Sequence, residues 1–166
     1  MISNIIKGID KVVKFNSVSA HCDIPCKIYD PSTALIAALS VVRMIDLMEE
    51  LNQKGDNSLQ SVNTMARYIR EKEDQAKICK HEVNIIWGDY FKAPQLEKFP
   101  QTHALVHSIM MTASKTKQEP SREHGIKLVE LINEFADIFW QSKGIKTKKA
   151  TCPYPPSLEV VYPILG

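Results

Sequence analysis

His21, Cys22 and Cys26 place one imidazole and two thiols within six residues, with Asp23, Ile24 and Pro25 between the thiols. Nitrogen and thiolate donors at that density suit a transition metal. Taken alone, the Cys22-x-x-x-Cys26 pair also reads as a disulfide, as half of a zinc site, or as two ordinary thiols. What surrounds the pair narrows the choice. A segment of twenty residues precedes His21 and ends in the small residues Val18-Ser19-Ala20, and Tyr29-Asp30-Pro31 follows the second thiol at a helix-start signal.

The whole stretch His21-Cys22-Asp23-Ile24-Pro25-Cys26-Lys27-Ile28-Tyr29-Asp30-Pro31 resembles the metal hook of the nickel-containing superoxide dismutase family. That hook reads His-Cys-Asp-x-Pro-Cys-x-x-Tyr-Asp-Pro, and all eight specified positions are met. Further along, His81-x-Val83-x-x-x-Trp87-x-Asp89-Tyr90-Phe91-Lys92-x-Pro94 resembles the family's second motif, and Ile138-Phe139-Trp140 the end of its last helix. The resemblance covers about residues 21–143. It implies an oxidoreductase that converts two superoxide ions and two protons to dioxygen and hydrogen peroxide, with one nickel ion per subunit. It also implies a homohexamer of four-helix bundles, with hooks partly buried between subunits. By position, it gives Asp23 and Tyr29 the ordering of the hook and its access, Pro25 a preceding cis peptide bond, and Tyr90 and Lys92 places near the substrate channel. In the actinobacterial form a glutamate and an arginine hold the axial imidazole, and those positions fall on Ala37 and Gln75, so the usual clamp is missing.

The donor chemistry agrees with that resemblance. If a protease cuts before His21, the new amine and the Cys22 backbone nitrogen close a five-membered chelate ring, and that nitrogen closes a second with its own sulfur. The Cys26 thiolate, turned back at Ile24-Pro25, completes two nitrogens and two sulfurs in a plane, and the His21 imidazole reaches an axial position. Such a set suits nickel(II) or copper(II), whereas zinc takes a tetrahedron. Two thiolates and an ionised amide favour the trivalent state. The metal ligands are therefore expected to be His21, Cys22 and Cys26, and residues 1–20 a leader removed on maturation.

Composition sets limits on partners. With 44% hydrophobic and 24% charged residues in 166, one compact domain with tails is expected. The formal charge is +2, but the leader carries three of the 21 basic residues (Lys7, Lys11, Lys14) and one of the 19 acids (Asp10), leaving 18 of each in the remainder. A neutral chain is a poor ligand for nucleic acid, which binds through clustered Lys and Arg. No apolar run reaches the roughly 20 residues of a membrane span. The lysines and Asp10 break what a secretory signal would need as a continuous apolar stretch. The expected setting is cytoplasmic, with Cys79 and Cys152 as reduced thiols.

The elements that must position the site read as helices. Asp30-Pro31 supplies a cap and a proline at the first helical position, and Leu35, Leu39, Val42, Ile45 and Met48 recur at three- and four-residue steps up to Lys54-Gly55. This predicts a helix near 31–54. Ser58 caps a second, to about 86, with Val62, Ala66, Ile69, Ala76, Cys79 and Val83 as its inward stripe. Trp87 to Pro94 reads as a loop, and Pro94 to Pro100 as irregular. A third helix spans 100–116, and a fourth follows Pro120-Ser121 to Lys143-Gly144. The fold class is all-α, an antiparallel up-and-down four-helix bundle over 31–143 with an N-terminal metal hook at 21–30. Residues 144–166 form a proline-rich extension that is not helical, either lying extended along the bundle or a neighbouring subunit, or disordered. Outside the enzyme reading stand a nickel or copper store without turnover and a structural oligomer with a Cys22–Cys26 disulfide. Neither requires Tyr29, Tyr90 or Lys92.

Overall fold

The computed structural model describes residues 27–165; the leader and the hook residues His21, Cys22, Asp23, Pro25 and Cys26 lie outside the described residues. Four long helices make the body: α1 Ser32–Gln53, α2 Leu59–Ile85, α4 Thr102–Gln118 and α5 Arg122–Ser142, with a short α3 at Ala93–Lys98. Helix α1 packs on α2 and α5, and α4 packs on α2 and α5, so the four close a ring around one core. The links between α1 and α2 and between α4 and α5 are a few residues long, which forces those neighbours antiparallel.

Local chemistry fixes the helix ends. Asp30 Oδ1 accepts from the Ser32 amide at 2.8 Å, so the aspartate caps α1 as its sequence predicts. Ser58 Oγ accepts from Ser61 N at 3.2 Å at the start of α2, and Ser121 Oγ from His124 N at 3.3 Å at the start of α5. Gly55 and Gly144 follow α1 and α5 with φ of +63° and +75°, a left-handed turn that a glycine takes without strain. Leu35, Leu39, Val42, Ile45 and Met48 are all buried, and so are Leu128, Leu131, Ile132, Phe135, Ile138 and Phe139 of α5. Helix α5 approaches α1 closely at Gly125, where a Cβ would stand 3.0 Å from Val42 Cγ2.

Three expectations are corrected. The inward stripe of α2 is real from Ala76 onward, but Val62 is 57% exposed and Ile69 38%. Among the described residues the first turns of α2 lie beside the end of α1 across an open pocket, which Val62, Met65, Ala66 and Ile69 line with Leu51 and Asn52. Second, Trp87 to Pro94 is not a plain loop. Helix α2 ends in a π-helical turn, Ile86–Tyr90, closed by Phe91 N donating to Ile86 O at 3.3 Å, and α3 follows with Pro94 in its first turn, where a missing N–H costs nothing. Third, the proline-rich extension is not a disordered tail; it lies along the bundle, as one of the two readings had it, and folds there. It forms an antiparallel hairpin, β1 Thr147–Thr151 with β2 Glu159–Pro163, in which Lys149 faces Val161. Pro153, Pro155 and Pro156 lie in the connection between the strands, and Pro163 stands at the end of β2 opposite Thr147, so no proline interrupts the middle of the ladder. Cys152, Val160 and Val161 are buried against the bundle. Asn133 of α5 fastens the hairpin with both ends of its amide: Nδ2 donates to Glu159 O at 2.8 Å and Oδ1 accepts from Val161 N at 2.9 Å. Thr147 Oγ1 also donates to Asp137 Oδ1 at 2.5 Å.

Candidate metal centre

The described chain enters α1 through Tyr29, and this is the ground on which the hook stands. Tyr29 is half-buried, and its ring lies 5.8 Å from that of Tyr90, centroid to centroid. Tyr90 is carried there by the π-helical turn. The wider turn sets its ring 4.9 Å from Phe139 of α5 and 5.2 Å from Phe91, while Phe91 points into the core against Phe135 at 5.8 Å. Rings at these spacings and tilts attract beyond their simple burial. The two sequence motifs, sixty residues apart, thus meet at one aromatic cluster.

The polar edge of the cluster is ordered as well. Tyr90 Oη and Ser142 Oγ are 2.7 Å apart, and Ser142 Oγ donates to Phe139 O at 2.6 Å. The single serine proton is committed to that carbonyl, so Tyr90 is the donor to Ser142. Lys143 Nζ sits 4.8 Å from the centre of the Tyr90 ring and 5.1 Å from that of Phe139, a cation on two aromatic faces. On the neighbouring face Trp87 Nε1 donates to His103 Nδ1 at 3.0 Å.

Of the residues expected at the site, Tyr29 and Tyr90 are brought together. Lys92 is exposed at the start of α3, with Nζ donating to Gly88 O at 2.9 Å. Its ammonium caps the π-helical turn while remaining in water. Ala37 is buried in the core, and Gln75 donates to Glu71 Oε1 at 2.8 Å on its own helix. Neither position carries the glutamate or the arginine of the family clamp. Sequence reasoning missed Ser142 and Lys143, two and three residues after the Ile138-Phe139-Trp140 motif that pointed to this end of α5.

Which residues can hold a metal follows from the thiols. Among the described residues no three His, Cys, Asp or Glu side chains gather into a metal site. Cys79 is sealed in the core, and burial pushes its thiol up to about 12, far from the thiolate a metal requires. Cys152 is buried under the hairpin with Sγ 3.2 Å from Tyr154 O. The remaining thiols are Cys22 and Cys26, and their soft donors beside an imidazole fit nickel.

Residues 16–143 match the family model described as nickel-containing superoxide dismutase. The chain belongs to the nickel-containing superoxide dismutase family. It is 37% identical over 127 residues to the superoxide dismutase [Ni] of Streptomyces coelicolor, spanning 76% of this chain and 91% of that one. The Streptomyces seoulensis protein of the same description is 36% identical over 126 residues. The native nickel superoxide dismutase structure superposes with a TM-score of 0.65 at 35% identity, covering 74% of this chain and 99% of that one. The activity is that of the family: two superoxide ions are disproportionated to dioxygen and hydrogen peroxide, with nickel as the cofactor. Residues 144–166 lie beyond the family match, so the hairpin is an addition to it.

Proposed function

We propose that the enzyme works at a hook freed by cleavage between Ala20 and His21, with the nickel held by the His21 amine and imidazole, the Cys22 amide nitrogen and the thiolates of Cys22 and Cys26. The observation that carries this reading is the meeting of Tyr29, three residues after Cys26, with Tyr90 of the second motif. Nickel in that donor set supplies a one-electron couple that superoxide can both reduce and oxidise. The protein's own residues do the rest. Tyr29 and Tyr90 wall the approach, and because Tyr90 donates to Ser142, its hydroxyl presents lone pairs outward instead of a proton. Asp23 orders the turn between the thiols. The exposed ammonium of Lys92 supplies local positive charge in a chain with none to spare after the leader is gone.

The same reading makes the working form a homohexamer, with hooks shielded between subunits, that matures in the cytoplasm under a protease specific for the bond before His21. The unpaired Cys79 and Cys152 support a reducing compartment. The test is nickel content and superoxide loss for Cys22→Ser and Cys26→Ser. Both are expected to lose metal and turnover together, because a neutral hydroxyl gives neither the charge nor the softness of a thiolate. A variant of either position with normal nickel content and rate would overturn the ligand assignment.

A further inference from the structure

The hairpin does more than cover the end of α5. Strand β2 and the first turns of α1 face each other across Trp140 and leave an apolar groove of about 160 Å³, lined by Leu35, Ile36, Leu39, Val161 and Tyr162 with Trp140 at its base. Its walls stay open: Ile36 is 55% exposed and Tyr154, on the rim, 45%. Asp30 and Pro31 lie at one end of the groove, and the described chain begins only three residues earlier, at Lys27.

We propose that this groove is the docking site of the chain's own leader, residues 1–20. The leader carries Ile2, Ile5, Ile6, Ile9, Val12 and Val13 at the spacing of one helical face, with Lys7, Asp10, Lys11 and Lys14 between them. It is an amphipathic segment, and nothing in its own length can cover that face. The hook, residues 21–26, is the only tether between leader and groove, and six extended residues reach about 20 Å. That is enough for the leader to fold back over α1 from where the chain enters it. The groove's β2 wall belongs to the extension that the family match leaves out, so the device is particular to chains with this hairpin.

This rests on the reading of residues 1–20 as a leader, and the experiment separates the two. Hydrogen exchange of residues 154–165 is followed by mass spectrometry in the full-length chain, in a chain beginning at His21, and in full-length Ile36→Asp, an exposed position where the charge leaves the core intact. The expected result is exchange at least fivefold slower in the full-length chain than in the shortened one, with the difference lost in Ile36→Asp. Equal exchange in full-length and shortened chains overturns the docking, even if activity still depends on cleavage. Protection that persists in the shortened chain and grows with protein concentration overturns it in favour of a second copy in the groove. If protection is seen but both chains are equally active, the docking stands and the cleavage reading falls.

Discussion

Asn133→Ala should release the C-terminal hairpin while leaving the bundle folded. The wild-type amide makes two hydrogen bonds to β2 backbone, at 2.8 and 2.9 Å, in a position only 5% exposed. Each contributes about 0.5–1.5 kcal/mol net, and the Val161 amide left behind is buried without a partner, a further penalty of about 1–3 kcal/mol. A total of about 2–6 kcal/mol corresponds to a roughly thirty- to twenty-thousandfold rise in the opening equilibrium of the hairpin. The hairpin can undock instead of remaining in place unsatisfied, so its docking energy caps the loss and α1 to α5 stay together. The reporter is Cys152, buried under the hairpin, against Cys79, buried in the bundle. Thiol labelling at pH 8, read by peptide mass, should accelerate by at least tenfold at Cys152 and stay unchanged at Cys79, whose thiol is held near 12. Unchanged labelling of Cys152 would refute the role of Asn133. Equal acceleration at both cysteines would show that hairpin and bundle open as one unit.

Two further predictions concern charge. Lys92→Glu should lower the second-order rate constant with superoxide, most strongly at low ionic strength, and leave nickel content unchanged, since the side chain is exposed and its ammonium bonds the Gly88 carbonyl; identical salt dependence in wild type and variant would make Lys92 an ordinary surface lysine. Lys72 is buried under the end of α4, where its ammonium donates to Thr116 O and, at 2.9 Å, to Lys117 O, and burial lowers its pKa from the usual 10.5. Lys72→Met should cost about 1–3 kcal/mol at pH 7, because two carbonyls at a helix end lose their donor. With the folded pKa below the unfolded one, the unfolded chain holds more protons as pH climbs toward 10.5, so the wild-type advantage over Lys72→Met should grow with alkaline pH. Denaturation midpoints of the pair across that range check the sign, and an advantage that shrinks would contradict it.

The helices were legible because their signals are local. Asp30-Pro31, Ser58 and Ser121 mark starts by side chains that reach their own backbone, and Leu35, Leu39, Val42 and Ile45 mark a face by spacing alone. The family was legible for the same reason, since eight specified residues lie in one short run. What depended on distant partners was not. Val62 and Ile69 carry the right spacing, but among the described residues their side of α2 meets Leu51 and Asn52 of α1 only across an open pocket. The hairpin shows a run of strand-forming residues in Val160-Val161-Tyr162 but two lysines and an alanine in the middle of β1, and it is fastened by Asn133, 28 residues before Val161 and in another element. The π-helical turn is decided by where Tyr90 and Phe91 find rings to pack on, Phe139 and Phe135, both on α5. Ser142 and Lys143 escaped notice because neither residue type signals a site until Tyr90 is seen beside it.

The central claim is that a new N-terminus at His21 creates the catalyst. It is tested most directly by loading nickel into the full-length chain and into a chain beginning at His21, then measuring bound metal and the rate of superoxide loss for each. The account predicts stoichiometric nickel and fast turnover only in the chain beginning at His21, because in the full-length chain the amine ligand is a peptide amide. Equal nickel content and equal rates in the two chains would contradict it.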